Sequence, residues 1–125
     1  MLYTTYLANI KKVPEGVIKL LIVRIPPKHF DFEKSKDIKH VPELSPSKML
    51  LMQYKAEDDW EYYAKQFKKE MENREDMRKA LMELEVSLKA GEDVCLICFE
   101  KDYRCCHRFL IAQKMVDKGY EWKEI

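Results

Sequence analysis

Glycine and proline are scarce in this chain, with three and five among 125 residues. So few backbone breakers leave little room for flexible linkers, and no repeat or low-complexity tract is visible. An excess of one charge is also lacking. The 23 lysines and arginines face 22 aspartates and glutamates, a formal net charge of +1. That balance offers no electrostatic footprint for nucleic acid or an anionic membrane. No apolar run approaches the roughly 20 residues that a bilayer-spanning helix needs. The first residues lack the basic-then-apolar pattern of a secretory leader, so a cytoplasmic location is expected. Asparagine, glutamine and threonine are sparse beside abundant lysine and glutamate. That bias is typical of thermophile proteins, whose cytoplasm can tolerate disulfides.

What is present describes one globular domain over residues 1–125. The chain is 46% hydrophobic and 36% charged, enough to bury a core without disulfide or metal staples. Residues 2–7 are rich in Tyr and Thr and read as a strand. Pro14-Glu15-Gly16 marks a turn. Residues 17–25 are nearly continuous Val, Ile and Leu, as in a strand buried on both faces, and Pro26-Pro27 stops it. Residues 28–44 read as a long polar loop with at most a short helical turn. Ser45-Pro46 reads as an N-cap followed by Pro at the first helical position, opening a helix to residue 55. A second helix fits residues 58–73, with Trp60, Tyr63, Ala64, Phe67 and Met71 on one face. A third fits residues 74–90, with Met77, Leu81, Leu84 and Leu88 inward and Gly91 closing it. Residues 94–99 form a second buried strand, 103–118 a helix ended by Gly119, and 120–125 an edge strand. A long helical crossover between buried strands favours parallel pairing. The expected fold is α/β: a small, mostly parallel sheet with helices packed on its faces. Ligands of such sheets bind beyond the carboxyl ends of the strands.

One segment concentrates the chemistry. Residues 95–108 hold all four cysteines, one of three histidines and two of five arginines. They span a strand end, a loop and a helix start. Cys106 and His107 fall near a helix N-terminus, where partial positive charge favours a thiolate. Cys98 could face the same pocket. His107 could transfer a proton or orient a thiolate. Glu100 could act as general acid or base, or pair with an arginine. Arg24, at the other strand end, and Arg108 could hold a carboxylate or phosphate, with Lys101 beside them.

The stretch Leu96-Ile97-Cys98-Phe99-Glu100-Lys101-Asp102, followed by Cys106-His107-Arg108, resembles the signature of the domain-of-unknown-function 488 family. That family carries a Cys-x-Glu-Lys strand end followed shortly by Cys-His-Arg. Residues 3–10, Arg24 with Pro26-Pro27, Leu44-Ser45-Pro46-Ser47 and residues 60–67 are similar to other parts of it. Many members have an Asp two residues before the Arg of the second strand. Ile22 stands there in this chain, so no role for that carboxylate carries over. The resemblance implies the fold and the site; it names no reaction and no cofactor.

Plainer readings stand beside these. Cys95 reads as a core filler. Cys98 is as readily core as site, and His107 could simply hydrogen-bond the loop. Glu100 with Arg108 could be a structural ion pair, and Asp102 only a helix cap. Cys95-x2-Cys98 suggests a metal pair, but odd spacing along a strand sends the two to opposite faces. Cys98 with Cys106 and His107 could still ligate a metal, although none is expected. A disulfide from Cys98 to Cys105 or Cys106 needs Cα atoms within about 7 Å. Cys98-x5-Arg104 matches the spacing of cysteine-phosphatase loops and resembles the rhodanese loop, yet it contains Glu100 and Asp102 and no glycine. A basic loop with Lys28, His29, Lys34, Lys36, Lys39 and His40 is offset by Asp31, Glu33 and Asp37, which speaks against nucleic acid. Three readings result. The first is an enzyme acting on a small anionic or nucleotide-like ligand through the Cys98, Glu100, Cys106 and His107 pocket. The second is a module that binds a small anion, a metal or a protein partner. The third is a purely structural polar lock. Oligomeric state is left open.

Overall fold

The computed structural model describes residues 1–31, 35 and 37–125. Lys34, Lys36 and Glu33 of the polar loop lie outside the described residues. Five strands form one sheet: β1 (Leu2–Tyr6), β2 (Ile18–Leu21), β3 (Ile38–His40), β4 (Val94–Cys98) and β5 (Trp122–Glu124). Their spatial order is β3-β2-β4-β1-β5, and every neighbouring pair is parallel. Among the described residues, four α-helices complete the domain: α1 (Lys48–Glu57), α2 (Trp60–Asn73), α3 (Glu75–Lys89) and α4 (His107–Asp117). Among the described residues, no helix is long and apolar enough to cross a membrane.

β4 sits at the centre because it is apolar on both sides, and all five of its residues are buried. Side chains alternate along a strand. Val94, Leu96 and Cys98 therefore join the core that takes residues from all four helices. Cys95 and Ile97 join a smaller core on the other face, with Val13, Val17, Leu21, Val23 and Ile38. Among the described residues, no α-helix contributes to that core; Leu7 and Ile10, in the 3-10 turn Leu7–Lys12, pack there with Phe30. Phe67, Leu96, Ile111 and Met115 are wholly buried in the larger core. Each such side chain contributes about 1.5–3 kcal/mol relative to exposure.

The structure departs from the sequence reading at three places that shape the site. The β2 ladder ends at Leu21, although Ile22 and Val23 stay buried. Ile22 still donates its N–H to the Ile97 carbonyl at 2.9 Å, while its own carbonyl turns to a histidine side chain. The polar loop contains β3, whose three residues include only one buried side chain, Ile38, too little pattern to mark a strand. Helix α1 is capped by Ser47, which accepts from the Leu50 N–H at 3.2 Å, and not by Ser45. A residue before proline is biased toward extended backbone, and Ser45 obeys (φ −95°, ψ 160°), so the turn into the helix comes two residues later. Glu70 of α2 then holds Ser47 by its N–H at 2.8 Å and its hydroxyl at 2.6 Å.

Candidate functional site

The carboxyl end of β4 places Cys98 beneath the start of α4. β4 is followed by a loop, the 3-10 turn Tyr103–Cys105 and then α4. Asp102 caps that turn by accepting from the Arg104 N–H at 3.0 Å. Cys106 takes the N-cap position of α4 itself. The final helix therefore starts at His107, four residues later than the sequence pattern suggests, and this delay folds Cys106 and His107 back over Cys98.

Three side chains meet there. The Cys98 Sγ lies 3.5 Å from His107 Nε2 and 4.0 Å from Nδ1, and the Cys106 Sγ lies 3.8 Å from Nδ1. All three are buried. His107 Nε2 is 2.6 Å from the carbonyl oxygen of Ile22. A carbonyl can only accept, so Nε2 carries the proton and donates it. In the neutral ring, Nδ1 is then the bare nitrogen; it lies 3.8 Å from the Cys106 sulfur, whereas the Cys98 sulfur is nearer Nε2. The Phe67 ring, 5.7 Å from the imidazole centroid, backs the histidine.

The two thiols are driven apart in acidity. Burial raises the Cys106 thiol, but the Cys98 hydrogen bond, the His107 ring and the Arg108 charge outweigh it and hold Cys106 well below the ordinary thiol range. Cys98 goes the other way: burial, then the hydrogen bond and the charge at Cys106, push it well above. Of the two, Cys106, at a helix N-terminus, is therefore the more acidic thiol and Cys98 the less acidic.

The cluster forms one wall of a cavity of about 220 Å³. Arg24, Lys55 and Glu100 bring charge to its lining; Ile25, Leu51, Tyr54, Tyr63 and Phe99 make much of the rest apolar or aromatic. Arg24 donates from Nε and Nη2 to the Pro46 carbonyl at 3.1 and 3.0 Å, which fixes its fork at the rim. Burial, then the charges at Cys106 and Cys98, raise the Tyr63 phenol far above its usual range, so it stays neutral. A larger groove of about 630 Å³ includes Met71, Phe109 and Trp122 in its lining, but it contains no cysteine or histidine. Volume alone therefore does not select the site.

Several expected site residues have other tasks. Arg108 is fully buried. It donates to both Glu124 carboxylate oxygens at 3.1 and 3.0 Å and to the carbonyls of Glu100 and Lys101. Glu124 in turn accepts from the Thr4 hydroxyl at 2.6 Å, which accepts from the Trp122 indole at 2.7 Å. The Arg108 fork is thus spent on fixing the loop after β4, and a ligand anion has no access to it. Its ion-pair partner is Glu124, not Glu100. The Glu100 side chain is exposed at the cavity wall, whereas Lys101 is exposed and outside the lining. Arg104 forks onto Asp102 at the surface, so the Cys98-x5-Arg104 spacing builds no anion cradle around Cys98. Cys95 lies on the far face, and its thiol is pushed up to about 12 by burial. All four cysteines are free.

Sequence reasoning missed Lys55, Tyr54 and the Ile22 carbonyl. Only the docking of α1 brings Lys55 and Tyr54 to the cavity, and only the end of the β2 ladder leaves the Ile22 carbonyl for His107; no local pattern marks either. Cys98 Sγ, Cys106 Sγ and a His107 ring nitrogen lie within 4.8 Å of one another, so they could hold a thiophilic metal ion. No curated protein and no solved structure is significantly similar to the chain. A family model described as the active DUF488-N3 subclade matches residues 2–119; the chain belongs to the DUF488-N3a family.

Proposed function

We propose that the protein is a thiol-dependent enzyme acting on a small anionic substrate in the cavity at the carboxyl end of the sheet. The observation that carries this reading is the relay from Cys106 through His107 to the Ile22 carbonyl. It is a nucleophile, a base and a group that orients the base, within reach of one another. His107 Nδ1 takes the Cys106 proton, while Nε2–H stays on Ile22. The thiolate attacks the electrophilic atom of the substrate. The leaving group departs with the bonding pair and takes the proton from Nδ1. Arg24 and Lys55 supply the positive charge that holds the substrate anion. The apolar and aromatic lining accommodates its body, and Glu100 is placed for acid or base work at the wall. The description of the matching subclade as active agrees with this reading.

The test is alkylation of each cysteine against pH on the folded, reduced protein, read by peptide mass spectrometry. An ordinary exposed thiol titrates near about 8.5. Cys106 is expected to react well below that, and inorganic phosphate or a small carboxylate is expected to slow it. Replacing Arg24 by Ala should remove the protection. If Cys106 labels only when the protein unfolds, the thiolate reading is wrong.

A further inference from the structure

Cys98 has no part in the relay just described, yet its sulfur lies within 4.8 Å of the Cys106 sulfur. We infer that Cys98 is the resolving thiol for Cys106, and that the substrates of this site carry a weak O–O or S–S bond which the two thiols reduce. This rests on Cys106 being the nucleophile.

Geometry supports a two-thiol cycle over hydrolysis. Any group attached to Cys106 Sγ finds the Cys98 sulfur as an adjacent nucleophile already in place. Water would have to enter a buried corner whose single imidazole, His107, is tied to Ile22. Cys105 is a poor alternative. It is exposed, and a bridge between sequence neighbours is strained. Cys95 faces the other side of the sheet.

The chemistry closes with two electrons. The Cys106 thiolate attacks one atom of the O–O or S–S bond. That bond breaks, and the leaving oxygen or sulfur departs with the electron pair and takes the proton from His107. Cys106 now carries a sulfenic hydroxyl or a mixed disulfide. Cys98 attacks the Cys106 sulfur, and its proton goes to the departing hydroxide or thiolate. Water or a thiol leaves, and a Cys98–Cys106 disulfide remains. Two thiols have lost two electrons and two protons, and the substrate has gained both. Two equivalents of a small external thiol return the pair to the reduced state and leave as their own disulfide. The cationic rim and apolar lining suit an oxidised group borne on a small, partly apolar anion.

The experiment adds one equivalent of cumene hydroperoxide, or of 3,3′-dithiodipropionate, to the reduced full-length protein. Free thiols are then blocked and the peptides mapped. The expected product from at least one oxidant is a peptide pair joined through Cys98 and Cys106, with Cys95 and Cys105 free. The oxidant that forms it faster identifies the bond reduced. With 2-mercaptoethanol as reductant, Cys98→Ser and Cys98→Ala should each lower turnover by about 100-fold, because an intramolecular attack is lost. Both should also leave Cys106 as a mixed disulfide or over-oxidised. A Cys105–Cys106 bridge, or Cys106 oxidised singly in the unaltered protein, would overturn the inference even where Cys106 alkylates at low pH. Absence of low-pH alkylation would instead remove the thiolate reading beneath it, so the two failures are distinguishable.

Discussion

Cys95 and Cys98 lie three residues apart on β4, and both are buried. On the Cys95 side, the thiol meets apolar side chains and is pushed up to about 12. On the Cys98 side, the thiol meets an imidazole and a second sulfur at the edge of a cavity. Degree of burial does not distinguish them. The face of the strand does, because only one face lies beneath the N-terminus of α4. A buried cysteine thus gains a role from its neighbours across the sheet and helix, while its own exposure says little.

Arg108→Ala should break this comparison most severely. It leaves Glu124 unpaired and releases the two carbonyls that fix the loop after β4. Breaking one side of a buried pair costs about 3–5 kcal/mol, measurable by urea unfolding. Cys98 and Cys106 should then label faster in the folded protein, while Cys95 stays protected. Cys95→Ser tests the opposite face. A hydroxyl placed in that apolar cluster without a strong partner should cost about 1–3 kcal/mol. The low-pH labelling of Cys106 should not change.

Stability against pH separates the faces again. The folded Cys106 is a stronger acid than in the unfolded chain. Its contribution is therefore present above the unfolded value of about 8.5 and fades as pH falls toward its folded value. Cys95 and Cys98 are weaker acids when folded. Their contributions are present below about 8.5 and fade as pH rises above it. Urea midpoints should thus rise toward that pH and decline beyond it. Cys106→Ser should flatten the rise, and Cys95→Ala should soften the decline. The smallest effect on stability belongs to Arg24→Ala, which loses its hydrogen bonds to Pro46 and about 1 kcal/mol. Its loss should appear chiefly as weaker phosphate or carboxylate protection of Cys106.

Much of the fold was legible from pattern. The apolar run at β4, the face of α2 carrying Tyr63, Phe67 and Met71, and the Gly91 and Gly119 helix ends all stand where periodicity and turn chemistry put them. The opposite orientation of Cys95 and Cys98 followed from their odd spacing alone. β3 was not legible, because an edge strand with one buried residue carries no period. The cap at Ser47 was obscured by Ser45-Pro46, a pair that imitates a helix start. At the site, the concentration of Cys98, Cys106 and His107 was visible, but the division of labour between Arg24 and Arg108 was not. Both are arginines at expected positions, and only their partners separate a cavity residue from a scaffold residue.

The sequence by itself determined that this chain forms one α/β domain and where along it the chemistry is concentrated. Side-chain period and capping residues act locally, over a few residues, and need no tertiary contact to be read. The tertiary structure alone decided which thiol lies beside which nitrogen, which nitrogen carries the proton, and which arginine is buried. Those outcomes depend on an Ile22 carbonyl 85 residues from His107 and on a Glu124 carboxylate brought in by the edge strand. Local pattern has no means of recording them.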